Sequence, residues 1–132
     1  MVAVKIDLEE LARAVNWRGK RADYLLVGEG AVAVVEETER AKIDDVRKLE
    51  STVEALLRGP LAAAVPGLCN PFRIVAVLHS KRGVDSMVYR ELMSQTRKRG
   101  VVYRAANCQQ QLERVLREHG FSESSAAPPN AD

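Results

Sequence analysis

Residues 22–38, ADYLLVGEGAVAVVEET, decide the fold of this chain. Two apolar runs, 22–28 and 30–38, flank a Glu-Gly pair, which is typical of a tight turn between antiparallel strands. The second run holds five consecutive apolar residues, which indicates a strand that is buried on both faces, as in sheets covered by helices. It then ends in the acids Glu36 and Glu37. The stretch therefore predicts a β-hairpin in a helix-covered sheet, with carboxylates at one end of its second strand.

Helical periodicity and further apolar runs extend this pattern on both sides of the hairpin. A short helix precedes it, opened by Asp7 with Glu10 at capping-box spacing. The clearest helix follows it, over about 42–58, and ends at Gly59-Pro60. The remaining sequence predicts a central strand over 71–80, a helix over about 85–98 with Met87 on its apolar face, a short strand over 101–106, and a last helix capped by Asn107 and closed by Gly120. The order α-β-β-α-β-α-β-α predicts an α/β fold with a mixed central sheet flanked by helices.

The length and composition of the chain favour a single cytoplasmic domain. The 132 residues allow one core, which we assign to 1–120, and the polar, Pro-containing stretch 121–132 is expected to be a disordered tail. No apolar run approaches the ~20 residues that a membrane-spanning helix requires, and the N-terminus lacks the pattern of a signal peptide. Cys69 and Cys108 lie far apart and, with two scattered histidines, do not form a zinc motif. A disulfide between them would require an oxidising compartment or a hyperthermophilic source, so we expect two buried free thiols.

Positive charge is concentrated in the second half of the chain. Residues 81–104 carry seven basic side chains against two acidic ones. Such a patch beside an acidic motif is the layout expected of an enzyme that acts on a polyanion, although a solvated helix with Arg-rich ends gives the same composition. The candidate nucleic-acid-binding residues are Lys81, Arg82, Arg97, Lys98, Arg99 and Arg104.

The hairpin brings two acidic positions together at one end. Asp23 lies at the start of its first strand, and Glu36 and Glu37 lie at the end of the second. Because antiparallel pairing sets the start of one strand beside the end of the next, two carboxylates become neighbours in space. Such a pair is costly unless a positive charge lies between the two groups, and Mg²⁺ suits an all-oxygen site. We therefore predict a metal site formed by Asp23 and Glu36 or Glu37.

In this order and spacing the chain resembles the restriction-endonuclease-like, or PD-(D/E)XK, nucleases. The resemblance covers roughly residues 7–80 and rests on ADYLLV, AVVEET, the helix AKIDDVRKLESTVEALL and the strand FRIVAVL. It implies a restriction-endonuclease-like fold, Asp23 and Glu36 as ligands of Mg²⁺ (or Mn²⁺), and Thr38 at the position of the family's lysine. A shifted alignment makes Glu37-Thr38-Glu39 the motif instead.

Two positions depart from the family's pattern. Ala22 stands where the family has a proline, and neither candidate glutamate has a lysine two residues later. Since that lysine is thought to position the attacking water, its replacement bears directly on activity. Lys42 lies close downstream and is the candidate to reach back into the site. The candidate catalytic residues are thus Asp23, Glu36, Glu37, Thr38 and Lys42.

Three functions follow from these observations. The first is a metal-dependent nuclease that hydrolyses phosphodiester bonds in DNA, in preference to RNA, as a homodimer or as a subunit of a larger complex. The second is a non-catalytic protein of the same fold that binds nucleic acid or supports a complex, and the missing lysine favours it. The third is a small α/β module that binds a phosphorylated ligand at HSKRG (79–83).

Overall fold

The computed structural model describes residues 3–65, 68 and 72–121, without the side chains of 97–99. Five strands and four helices follow one another in this part of the chain. In order they are β1 (Val4–Asp7), α1 (Leu8–Val15), β2 (Tyr24–Gly28), β3 (Ala31–Thr38), α2 (Ile43–Leu57), β4 (Arg73–Ser80), α3 (Ser86–Arg99), β5 (Val102–Ala106) and α4 (Gln109–Glu118).

The strands form one mixed sheet in the order β1-β2-β3-β4-β5. The pairs β1–β2 and β2–β3 are antiparallel, whereas the pairs β3–β4 and β4–β5 are parallel. The prediction of an α/β fold with a mixed, helix-flanked sheet is therefore confirmed. The predicted element order was wrong in one respect, because it lacked β1. That strand has only four residues, lies at an edge and is largely exposed, so it has no apolar run to reveal it.

The sheet is covered on both faces, as the apolar run in β3 indicated. Alternation along each strand sends neighbouring side chains to opposite faces. The face toward α1, α2 and α3 buries, among others, Leu8, Leu25, Val32, Val34, Leu49, Leu56, Leu78 and Leu92. The face toward α4 buries Ala33, Val35, Val75, Val77, Leu112 and Val115.

Two local predictions need correction. Met87 was placed on the buried face of α3, but it is 68% exposed because Val88 and Leu92 fill the positions facing the sheet. Asn107 was predicted to cap α4, but the N-cap is Cys108. The backbone N–H of Asn107 instead donates to Oε1 of Gln111, at 2.8 Å.

The described part of the chain ends on a packed residue. Phe121, which the sequence assigned to the tail, is buried against the α4 face. Residues 122–132 and Cys69 lie outside the described residues. Cys108 is a free thiol, but the prediction that it is buried was wrong, because it lies exposed at the N-cap of α4. Within the described ranges no helix combines the length and the apolar character that crossing a bilayer demands.

One edge of the sheet collects most of the chemically reactive side chains. Strands β1, β3, β4 and β5 all end at this edge, and β2 begins there. Helices α2 and α3 start from it, since each follows a strand that ends there. We call it the carboxyl edge.

Candidate functional site

Asp23 is held beside the end of β3 by backbone and side-chain hydrogen bonds. Its N–H donates to the carbonyl of Val35 at 3.0 Å, which continues the β2–β3 register and sets Asp23 opposite Glu36. Its Oδ2 accepts a hydrogen bond from the N–H of Glu37, at 2.7 Å. The predicted juxtaposition of Asp23 with the acids of β3 is therefore present at the carboxyl edge.

Glu36 is a buried carboxyl group on the face toward α2. It is 3% exposed, and within the described residues its Oε1 has no hydrogen-bond partner. Burial, and then the nearby charge of Asp23, raise the pKa of Glu36 to about 8, although the Lys48 ammonium opposes the shift. A carboxyl group in such surroundings is unfavourable for stability, which is common at functional sites.

Lys48 supplies the positive charge of the site. Its Nζ lies 3.4 Å from Oε2 of Glu36 and 3.7 Å from Oδ1 of Asp45. The charge of Glu36 is the largest cause of the raised pKa of Lys48. The sequence prediction missed this residue because the lysine was sought next to the glutamate in the chain. It comes instead from the second turn of α2.

A polar seam along α2 fixes Lys48 in place. Asp45, Lys48 and Thr52 fall at i, i+3 and i+7, so they share one side of the helix. The Oγ1 of Thr52 donates to the carbonyl of Lys48 at 2.8 Å and accepts from the N–H of Ala22 at 2.9 Å. Thr52 is fully buried. The seam therefore joins the helix that carries Lys48 to the residue that precedes Asp23, and its spacing was a signal that the sequence did contain.

An open cleft reaches Asp23 and Lys48, whereas Glu36 does not line it. It has a volume of about 640 Å³ and is lined by Lys5, Asp7, Glu9, Glu10, Arg21, Ala22, Asp23, Tyr24 and Lys48. Arg21 is fixed at its rim, where its guanidinium donates to Glu9 and to the carbonyls of Trp17 and Gly19. Acidic and basic side chains thus alternate around a cleft large enough for a small ligand or a segment of a polymer.

Glu37 faces the other side of the sheet. Its Oε2 lies 3.3 Å from Nδ1 of His79, which is only 5% exposed. Burial, followed by the charge of Glu37, raises the pKa of Tyr24, and the ammonium of Lys5 lies 4.2 Å from the centre of the Tyr24 ring. Of the two glutamates that the sequence left open, the geometry brings Glu36 to the side of Asp23 and Lys48, and Glu37 to His79.

The two other predicted catalytic positions do not reach Glu36. Thr38 ends β3, and its carbonyl accepts from the N–H of Lys81 at 3.1 Å. Lys42 is the exposed N-cap residue of α2, and its backbone N–H donates to Oδ2 of Asp45 at 2.8 Å. The lysine beside the buried carboxylate is Lys48.

A metal ion at this site would have two carboxylates available, those of Asp23 and Glu36. Within residues 3–65, 68 and 72–121, no group of three or more His, Cys, Asp or Glu side chains is arranged to hold a metal ion. Mg²⁺, however, is often bound by one or two carboxylates, with water and substrate phosphate completing its shell. Asp23 and Glu36 would have to supply such a pair, and Oε1 of Glu36 is buried without a hydrogen-bond partner among the described residues. A magnesium site here would thus be completed by its substrate.

The predicted basic surface is divided. Lys81 and Arg82 are exposed at the carboxyl edge, and Arg82 makes one loose contact of 3.8 Å with Glu39. Arg104 lies on the face toward α4, where it is paired with Glu118 at 2.9 Å. The side chains of Arg97, Lys98 and Arg99 lie outside the described ones. At the carboxyl edge, the described part of the predicted surface therefore consists of Lys81 and Arg82.

The loop 79–83 does not cradle a phosphate with its backbone. The N–H groups of Lys81, Arg82 and Gly83 donate to the carbonyls of Thr38, Glu39 and Ser80 at 2.9–3.1 Å. Because these donors are satisfied internally, a phosphate at this loop would be bound by the side chains of Lys81 and Arg82.

Comparison with known proteins adds no relative to this picture. No protein-family model matches the chain, and neither the curated proteins nor the solved structures give a match. The functional assignment consequently rests on the side chains at the carboxyl edge.

Proposed function

We propose that this protein is a metal-dependent nuclease of restriction-endonuclease-like fold that hydrolyses phosphodiester bonds, with DNA preferred to RNA. The observation that supports this most is the meeting of Asp23, Glu36 and Lys48 on one face at the carboxyl edge. Two carboxylates and an ammonium group are the side chains that phosphodiester hydrolysis with a hard divalent cation requires. A buried, partly unpartnered glutamate has no evident structural purpose there.

Each residue of the group has a distinct role in this proposal. Asp23 and Glu36 would hold Mg²⁺ or Mn²⁺, which when bound lowers the pKa of water and offsets the charge on a phosphate. Lys48 places a positive charge beside Glu36, where it orients the attacking water and stabilises the growing negative charge. Thr52 ties α2, and with it Lys48, to the residue before Asp23, and Asp45 contacts the Lys48 ammonium group. Lys81 and Arg82 contact the phosphate backbone without reading sequence.

A cleavage assay with a matched pair of variants tests the proposal. The substrates are supercoiled plasmid, single-stranded DNA and single-stranded RNA, each with Mg²⁺, with Mn²⁺ and with EDTA. We expect metal-dependent cutting that falls by roughly a hundredfold or more in Asp23→Asn, as for the loss of a preorganised charged group. Asp44→Asn is the control, since Asp44 is an exposed carboxylate at the start of α2 that pairs with Lys20. Absence of cutting by the wild type, or equal cutting by both variants, contradicts the proposal.

One observation favours a non-catalytic nucleic-acid-binding protein as the second candidate. Within the described residues the site offers two carboxylates and no third metal ligand, and Lys48 already partly offsets the charge on Glu36. A protein of this kind would bind nucleic acid with an affinity that falls steeply as salt rises. Salt-sensitive binding without cutting in either metal would select it.

A further inference from the structure

A second pocket lies at the carboxyl edge, beyond the cleft. It has a volume of about 190 Å³ and is lined by Gly83, Val84, Tyr89, Ala105, Ala106, Asn107 and Gln111. Pockets for drug-sized ligands occupy about 300–1,000 Å³, so this one suits a single planar ring system. It lies where the loop after β4, the first turn of α3 and the start of α4 meet.

The pocket combines an exposed aromatic ring with unused amide groups. Tyr89 is 48% exposed, so part of its ring is open to solvent beside the pocket. Among the described residues no hydrogen bond involves the Tyr89 hydroxyl, the Asn107 side-chain amide or Nε2 of Gln111, while Oε1 of Gln111 accepts from the backbone of Asn107. A ring for stacking beside free donors and acceptors is the chemistry that binds a nucleobase.

Phosphate-binding groups lie next to this pocket. Lys81 and Arg82 immediately precede Gly83 in the loop that forms one wall. Both side chains are exposed, and Lys81 has no ion pair among the described residues. Since the backbone N–H groups of this loop are already used, the two side chains are what the loop offers to the phosphate of a nucleotide whose base enters the pocket.

The strand register gives the separation between the pocket and the candidate active site. Glu36 pairs with Leu78, and Leu78 pairs with Ala105, which lines the pocket. The three residues form one row across the sheet, so Ala105 lies two strand spacings, or about 10 Å, from Glu36. A stacked strand rises ~3.4 Å per nucleotide and an unstacked strand is more extended, so at most about three nucleotides span this distance.

We propose that Tyr89, Asn107 and Gln111 form a binding subsite for one unpaired base of a single-stranded substrate, at most about three nucleotides from the bond that is cut. The distance to the cut bond has a meaning only for a nuclease, so this part of the inference rests on the proposed function. Its occupant is an extrahelical or single-stranded nucleotide, because a base inside a duplex has no free face to stack on Tyr89. The preferred substrate class is therefore single-stranded nucleic acid, or duplex with an unpaired segment.

Equilibrium binding to short oligonucleotides, measured by fluorescence anisotropy in EDTA, tests the subsite without relying on catalysis. We expect Tyr89→Ala to weaken binding of a ten-nucleotide single strand by roughly tenfold, the size expected for the loss of one stacked base. Tyr89→Phe keeps the ring and should stay within about twofold of the wild type. Met87→Ala is the matched control, since Met87 is an exposed apolar residue of the same helix turn that does not line the pocket.

A set of oligonucleotides with a single abasic position then locates the subsite. One abasic position, at most about three nucleotides from the cut, should weaken binding as much as Tyr89→Ala does, and the two changes together should be no worse than either alone. The subsite is overturned if Tyr89→Ala binds like the wild type, or if the wild type does not bind single strands. If the protein cuts nucleic acid and Tyr89→Ala binds like the wild type, the nuclease proposal holds and the subsite is contradicted. If binding depends on the Tyr89 ring but the protein does not cut, the subsite holds and the nuclease proposal is contradicted.

Discussion

Glu36 and Glu37 are adjacent in the chain, yet they occupy two different chemical environments. Glu36 faces α2, where it is buried against Asp23 and receives one ammonium group from Lys48. Glu37 faces α4, is half-exposed and contacts His79. The only difference in position is one residue along a strand, which by the two-residue period reverses the face. Acidic residues at a strand end thus form two independent groups, and each can be perturbed without the other.

The difference also shows which of the two groups is under electrostatic stress. The carboxyl of Glu36 has lost its water and has another acid for a neighbour, so its pKa rises to about 8. Glu37 keeps access to solvent and has a histidine as its partner. A buried carboxyl group with a raised pKa persists only where the surrounding structure keeps it buried. The proposed function accordingly places the reaction on the face toward α2.

The largest expected effect is a gain in stability on replacing Glu36. Its ordinary pKa of 4.5 is raised to about 8 in the folded protein, so the unfolded chain loses its proton first as pH rises. The free energy of unfolding should therefore fall between about pH 4.5 and pH 8, by up to about 3 kcal/mol at pH 7. Glu36→Gln should abolish this fall and be more stable than the wild type at pH 8 by up to about 4 kcal/mol. Urea unfolding in EDTA at pH 5 and pH 8 measures both quantities.

Glu37→Gln is the matched control for this measurement. Because its side chain lies on the other face, the fall in stability between pH 5 and pH 8 should persist in this variant. A fall that survives in Glu36→Gln, or disappears in Glu37→Gln, would contradict the separation of the two faces.

A smaller effect is expected from the loss of the ammonium group of Lys48. Between about pH 8 and pH 10 Glu36 is charged and Lys48 is still protonated, since the pKa of Lys48 is raised by that same glutamate. Lys48→Met should lower stability by about 1 kcal/mol at pH 9, where it leaves a buried carboxylate unpaired. At pH 5, with Glu36 protonated, it should have little effect. Lys42→Met, at the exposed N-cap of α2, should be near neutral at both values, and equal effects of the two substitutions would contradict the assignment.

The smallest effect concerns the phenol of Tyr24. Burial is the main reason for its raised pKa, and the charge of Glu37 comes second. Glu37→Gln should therefore lower the pKa of Tyr24 only in part, and change stability at pH 7 by no more than about 0.5 kcal/mol. Ultraviolet absorbance of phenolate during alkaline titration, with Tyr24→Phe subtracted, measures the shift. An unchanged titration would show that Glu37 does not act on Tyr24.

The parts of the fold with strong periodic signals were predictable from the sequence. The five apolar residues of β3 and the apolar stripe of α2 gave both elements nearly to their ends. β1 was not predicted because the sequence of an exposed edge strand of four residues differs little from that of a loop. Met87 was misplaced because α3 is weakly amphipathic, so several residues could have been chosen for its inner face.

The site was predictable only as far as strand pairing determines it. Antiparallel register was enough to place Asp23 beside the acids of β3. The choice between Glu36 and Glu37 depends on which face each strand residue takes, and the run of apolar residues on both faces hides that information. The spacing of Asp45, Lys48 and Thr52 indicates one polar side of α2, but the contact between Lys48 and Glu36 depends on how α2 lies across the strands, which is a property of tertiary packing.

The buried hydroxyl of Thr52 links two segments that are 30 residues apart in the chain, through its bond to the N–H of Ala22. Ala22 immediately precedes Asp23, so this one hydrogen bond couples the position of α2 to the residue next to the aspartate. An opening that lifts α2 away would break this bond and separate Lys48 from Glu36, while the hydrogen bonds that hold Asp23 to β3 persist. The pairing of Lys48 with Glu36 therefore depends on the docking of this helix, and local unfolding of α2 would separate the two side chains before the sheet opened.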